Sequence, residues 1–347
     1  MSYQRDFSRR VRLGIVGVGS HCYRNLLPAL HYLPVELCAL CDVNRELAEK
    51  TAREYGVREV FTSDVEMYRQ TRLDGVLLSV GPQLHPQLTL NALDAGVNVW
   101  LEKPPAMRAA EVETMLRARG ARVVTVGFKK AFMPAAVKAR ELLAQPGCAP
   151  LYSLLGVYPN HIPANGQEVL DKRQYTNWLG NGCHPLSLLV SIAGNVAAVT
   201  THRAAEQGAT CILEFTNGAL GTLVLAGAAA SQPIERYQFF CKGGTIEIED
   251  SEKLTFQRGI PFEYGKSTTF APPGLEHGAV CWQAQNMLAT LENKALFTQG
   301  FIGSLDGFCR AILEGVPAEQ GSLEQALLIM KVYEAALLSR GGRIQIQ

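Results

Sequence analysis

Lys103, His184 and a closely spaced pair of glycines near the start are the residues of this chain best placed to do chemistry. Lys103 stands in Leu101-Glu102-Lys103-Pro104-Pro105, directly after the apolar run Asn98–Leu101. A lysine partly desolvated at the mouth of a cleft holds its proton less firmly. It can share or give that proton, or polarise a carbonyl as an ammonium. His184 titrates near neutrality when unperturbed, so it is the candidate second acid or base. The plain alternatives are a surface lysine in an ion pair and a helix-start histidine satisfied by backbone. Glu102 reads as a cap or brace for its neighbour.

Gly17-Val18-Gly19-Ser20-His21-Cys22 follows an apolar run and opens a helix. In a dinucleotide site the first glycine makes a tight turn and the second lets the backbone approach the pyrophosphate. The helix N-terminus then turns free N–H groups and positive dipole toward the anion. Gly17, Gly19, Ser20 and His21 are therefore the expected cofactor contacts. A third glycine normally allows close helix–strand packing; here it is Cys22, so a looser or shifted helix is expected. Asp42 ends the next apolar run, where a carboxylate would accept from the adenosine ribose. It would repel a 2′-phosphate, so NAD is expected over NADP, although Arg45 nearby keeps dual use open. A strand–helix turn for the glycines and a helix N-cap for Asp42 are the simpler readings.

The elements that must position these groups can be read from periodicity. Apolar runs at Val11–Val16, Val35–Cys41, Val76–Val80, Asn98–Leu101 and Val123–Val126 alternate with helical stretches at Arg45–Tyr55, Pro86–Ala95 and Ala109–Arg119. Continuous apolar strands separated by helices predict a parallel sheet covered on both faces. The pattern changes near Gly127. After a helix at Pro134–Leu143 come strands at Leu151–Val157, Val196–Arg203, Thr210–Phe215, Leu220–Leu225, Tyr237–Cys241, Thr245–Ile248 and Leu254–Gln257. Gly243-Gly244 reads as a hairpin turn between two of them. The spacing of Leu323, Leu327, Met330, Tyr333 and Leu337, behind the cap Ser322, predicts a final helix over about 322–340. The fold class is α/β. A Rossmann domain with a parallel sheet, 1–128, precedes an α+β domain, 129–347, with a large, mostly antiparallel open sheet.

A chain of 347 residues with 47% hydrophobic residues can build two cores, and its net charge of +1 argues against nucleic acid or an anionic membrane as partner. No stretch is apolar enough for a signal peptide or a membrane span, so the expected compartment is the cytoplasm. Nine scattered cysteines suit free thiols. Cys38 and Cys41 match C-x-x-C, but residues three apart on a strand face opposite sides, so no metal site is expected.

On these residues the chain resembles the Gfo/Idh/MocA family, named for glucose–fructose oxidoreductase and inositol dehydrogenase. The stretch from Ala92 through Glu102-Lys103-Pro104 is similar to its most specific signature. Leu77 to His85 resembles the loop that borders the nicotinamide ribose, which brings in Val80 and His85 as cofactor contacts beside Glu102 and Lys103. Val126 to Pro134 is similar to the crossing between domains. The resemblance implies an NAD(H)-dependent oxidoreductase of sugars or cyclitols, working in the interdomain cleft, with Lys103 and His184 catalytic. It also implies an open sheet that mediates homo-oligomers, dimer or tetramer. Members commonly carry an Asp four residues before the His; here that position is Gly180. Asn181, Tyr175, Lys129 and Lys130 are candidates to fill its role. Lys130, Tyr158, Tyr175, Trp178 and Asn181 are the expected substrate contacts. The missing Asp leaves two other functions open: a redox-neutral sugar enzyme that uses NAD transiently, and a non-catalytic dinucleotide sensor.

Overall fold

The computed structural model describes residues 6–205, 208–227, 235–259, 263–266, 278–283 and 294–346. Six strands form the first sheet: β1 (Val11–Val16), β2 (Val35–Cys41), β3 (Glu59–Phe61), β4 (Gly75–Leu78), β5 (Asn98–Leu101) and β6 (Val124–Val126). Their order is β3-β2-β1-β4-β5-β6 and every pairing is parallel. β1, β4 and β5 bury nearly every residue, as a sheet covered on both faces requires. Two differences from expectation have simple causes. β3 is three residues long and half exposed, too short to leave a pattern. β4 stops at Leu78, because Ser79 and Val80 turn away over the glycine loop.

The helix after the glycine loop begins with a π turn, Cys22–Leu26, before tightening at Leu27–Leu30. Cys22 is fully buried there, and the wider turn is the shifted helix expected of a side chain in place of a third glycine.

The second sheet comprises, among the described residues, β7 (Leu151–Tyr158), β8 (Val196–Arg203), β9 (Gly208–Phe215), β10 (Leu220–Ala226), β11 (Arg236–Cys241), β12 (Gly244–Glu249), β13 (Lys253–Gln257), β14 (Ala279–Gln283) and β15 (Ile344–Gln345). The order is β14-β13-β12-β11-β7-β10-β9-β8-β15. Only β7 and β10 pair in parallel; the other pairings are antiparallel. Lys242 and Gly243 make the hairpin between β11 and β12. The helices Pro134–Leu143, Asn177–Ala193 and Leu323–Leu338 pack against this sheet and bury its alternate residues. The other face is open. Leu155, Val157, Ile212, Leu220, Val224 and Phe240 lie on it in register, half-buried or exposed.

Of the helices that the periodicity did not place, one matters most for the core. Phe301–Glu314, from the last quarter of the chain, returns to the parallel sheet. Leu305, Phe308 and Cys309 join Leu13, Ile15 and Trp100 in one core. Trp100 Nε1 donates to Ser304 Oγ at 3.1 Å. Gly75 makes room for this contact, since a Cβ there would stand 3.0 Å from the Phe308 ring.

Candidate active site

The glycine loop has the two properties a dinucleotide needs. Gly17 adopts φ +88°, and a Cβ there would lie 2.4 Å from the Ser79 carbonyl and 2.8 Å from Val80 Cγ1. Only glycine fits that turn. A Cβ on Gly19 would meet nothing within 4 Å, so its backbone faces open space that a phosphate can enter. Val80 packs on the turn. Ser20 sits on the rim of a groove of about 410 Å³ shared with Arg24 and Lys50. Asp42 Oδ2 accepts from Val18 N at 2.9 Å and Oδ1 accepts from Asn44 N at 2.9 Å. The N-cap of the next helix is Asn44, which accepts from Leu47 N, so Asp42 is not a cap. Its carboxylate is fixed beside the loop with lone pairs to spare. The residues present fit a dinucleotide.

A buried acid joins this loop to the lysine. Glu102, 6% exposed, accepts from His21 Nε2 at 2.8 Å and from the Lys103 amide at 3.1 Å. It braces, as its position suggested. The Lys103–Pro104 peptide is cis. Behind it lies His85, which is fully buried. Its Nδ1 donates to Pro104 O at 2.8 Å. Its Nε2 has no partner among the described residues. Burial pushes its pKa down to about 4, against the opposing pull of the Pro104 carbonyl. The expectation that His85 touches a cofactor is therefore corrected: a side chain with no exposed surface holds the lysine-bearing loop from behind.

The Lys103 ammonium crosses the cleft and donates to the Gly180 carbonyl at 3.0 Å. Gly180 lies in the helix Asn177–Ala193, capped by Thr176, whose Oγ1 accepts from Leu179 N at 3.2 Å. Residues three and four apart share a helix face, so Asn177, Gly180, Asn181 and His184 line up along one side. Asn181 Nδ2 donates to Asn177 Oδ1, and Asn177 Nδ2 donates to Oδ1 of the buried Asn160 at 2.9 Å. His184 is 9% exposed. Burial, then the charges of Lys103, Lys130 and Lys129, hold its pKa well below the ordinary value, so the imidazole is neutral. Ser187, where an Asp is often found in the family, only returns its hydroxyl to the His184 carbonyl at 3.0 Å.

Three expected substrate contacts behave differently. Trp178 is wholly buried, stacks on Tyr333 with centroids 6.4 Å apart, and donates to the Tyr333 carbonyl at 3.3 Å. The expectation that it meets substrate is corrected, because position 178 faces the helix Leu323–Leu338 rather than the cleft. Lys130 is buried and bound to both carboxylate oxygens of Glu235, which also accepts from Tyr237 Oη at 2.9 Å. With Tyr158, Pro159 and Asp250 it lines a pocket of about 270 Å³, its ammonium 5.5 Å from the Tyr158 ring. Tyr175 is exposed, with its hydroxyl over Gly180.

Two wall residues escaped sequence reasoning. Lys129 Nζ donates to Gln299 at 2.9 Å and sits 4.5 Å over the Phe301 ring. Phe301 also touches His21, with ring centroids 5.8 Å apart. No motif marks Gln299 or Phe301, and both reach the site only because the chain crosses back at the start of the helix Phe301–Glu314. Burial, then the neighbouring Lys130, lowers the Lys129 pKa to about 8. Among the described residues no group of three or more His, Cys, Asp or Glu could hold a metal ion, and no helix is long and apolar enough to cross a membrane.

Residues 11–128 match the model of an oxidoreductase family with an NAD-binding Rossmann fold. The chain is 33% identical to inositol 2-dehydrogenase/D-chiro-inositol 3-dehydrogenase of Shouchella clausii over 145 residues, 39% of this chain and 40% of that one. It is 32% identical to D-glucoside 3-dehydrogenase of Escherichia coli over 117 residues, 31% of each. The matched part thus spans about two-fifths or less of these relatives' length. Among solved structures, a dehydrogenase from Chromobacterium violaceum has the same fold, with a TM-score of 0.80 at 22% identity over 94% of both chains. An oxidoreductase from Agrobacterium radiobacter, in complex with NAD+, L-tartaric acid and magnesium, superposes with a TM-score of 0.77 at 14% identity over 97% of this chain and 98% of that one. Over residues 11–128, which carry its glycine loop and its Glu-Lys-Pro step, the chain is thus similar to the Gfo/Idh/MocA oxidoreductases, and across both sheets it shares the fold of the solved dehydrogenase.

Proposed function

We propose that this chain is an NAD(H)-dependent dehydrogenase or reductase that acts on a hydroxyl or keto carbon of a sugar or cyclitol. The observation that carries the reading is the Lys103 ammonium on Gly180 O, beside neutral His184, at the end of a loop tied through Glu102 to the glycine turn. A nicotinamide bound there supplies or takes the hydride. Lys103 holds the substrate oxygen and stabilises negative charge as it develops. His184, unprotonated at neutral pH, accepts from a substrate hydroxyl. Asn181 and Tyr175 border the same helix face, and Lys130 with Tyr158 forms the far wall. Absorbance at the NADH band with a panel of sugars and cyclitols tests the proposal. Turnover of none of them, with cofactor demonstrably bound, sinks it; product without net NADH turns it into the redox-neutral reading.

Asp42 is proposed as the residue that selects NAD. Asp42→Ser removes the repelling carboxylate, and we expect the NAD-to-NADP preference to shift toward NADP by about tenfold or more. Isothermal titration with both cofactors reads this directly; an unchanged ratio would discard the assignment.

The open sheet face is proposed as the contact with a second copy, in a dimer or tetramer. A charge in that apolar register has no partner when buried. Phe240→Glu should therefore shift the sedimentation coefficient to that of a monomer, and an unchanged value argues against this face.

A further inference from the structure

Gly180 is empty for a reason visible in the fold. A Cβ built there would lie 2.2 Å from the Tyr175 hydroxyl oxygen and 2.9 Å from Cζ of the same ring. The space a side chain would take is already filled by a phenol, and a larger residue at 180 would require that ring to swing aside. That phenol oxygen has no hydrogen-bond partner among the described residues. It lies over the helix face that carries His184 one turn later, on the residue whose carbonyl receives Lys103.

We propose that the Tyr175 hydroxyl is a catalytic residue of the reaction, delivering a proton to the substrate oxygen from the position that Gly180 vacates. The inference rests on the dehydrogenase reading above. Burial, then the Cys183 thiol, raises the phenol pKa, so the group stays protonated near neutrality and acts as a donor. In the reductive direction the substrate carbon gains a hydride and the C=O π pair moves onto oxygen. The Tyr175 O–H bond breaks as its proton forms the new alcohol O–H. Bulk water then returns a proton to the phenolate, because the ring is 60% exposed. Lys103 keeps its proton and holds the oxygen in place.

The test combines two substitutions. Tyr175→Phe keeps the ring and removes the hydroxyl. We expect kcat for reduction to fall about 10²-fold, with cofactor affinity unchanged by calorimetry. Gly180→Asp alone should be no better, since its Cβ meets the phenol. Tyr175→Ala combined with Gly180→Asp opens the space and supplies a carboxyl group. That pair should recover about tenfold over Tyr175→Ala alone. Full reductive kcat in Tyr175→Phe, or no recovery in the pair, overturns the proposal while leaving the dehydrogenase reading intact. An unaltered chain that binds cofactor but turns over no substrate overturns both.

Discussion

Lys103→Met should lower kcat/KM about 10³-fold while leaving the melting temperature and cofactor affinity nearly unchanged. The side chain is only part-buried, and its one hydrogen bond goes to the Gly180 carbonyl, which water can satisfy instead. Folding therefore loses little. On the proposed function, the reaction loses the ammonium that would meet the developing oxyanion. Neutral His184 cannot replace a full positive charge, and Lys130 is neutralised by Glu235. Lys129 is held back by Gln299 and the Phe301 ring. Steady-state kinetics with calorimetry separates the two effects. A variant that keeps most of its kcat/KM would remove Lys103 from the chemistry and leave it a bridge between the domains.

The second large effect is on acid stability. His85 has a folded pKa of about 4, against about 6.5 for a free imidazole. The fold holds the neutral ring, whose bare Nε2 is sealed from solvent without a partner. Above pH 6.5 neither state binds the proton and the full stability is present. As pH falls toward 4, the unfolded chain takes up a proton that the folded chain refuses. Stability should then drop by about 3 kcal/mol from this residue alone. His184, also depressed, acts in the same sense. Denaturant midpoints across this pH range, compared with those of His85→Asn, give the measurement. The amide can still donate to Pro104 O but does not titrate, so the variant should lose a markedly smaller share of its stability on acidification. Equal slopes in the two proteins would mean that the ring protonates in place.

What could be read from residues alone followed physical rules of short range. Strands β1, β2 and β5 and the helices Arg45–Tyr55 and Pro134–Leu143 lie where periodicity put them, because a two- or 3.6-residue pattern is local. The glycine turn was equally legible, since only one residue type tolerates φ +88° against the Ser79 carbonyl. Lys103 could be picked out because an apolar strand delivers it to a sheet end. Side-chain direction was harder. Trp178 and Tyr175 are both aromatic and three residues apart, yet one is core and the other cleft. Tyr175 lies just before the helix Asn177–Ala193, whereas Trp178 is within it and meets a partner from over a hundred residues away. His85 was misread for the same reason: its neighbour Leu84 is exposed while it points inward. Gln299 and Phe301 belong to the site through a long-range return that no window of sequence contains.

That return has a consequence for how the molecule can be handled. The polypeptide passes from the nucleotide half to the sheet half, comes back to plug the Trp100 side with Phe308, and leaves again. Cutting after the first crossing would strip a greasy wall from the nucleotide half, so a fragment of residues 6–128 should clump rather than titrate cofactor. The two halves are stitched rather than hinged on a single thread, and grafting either onto another protein would have to carry the stitch along.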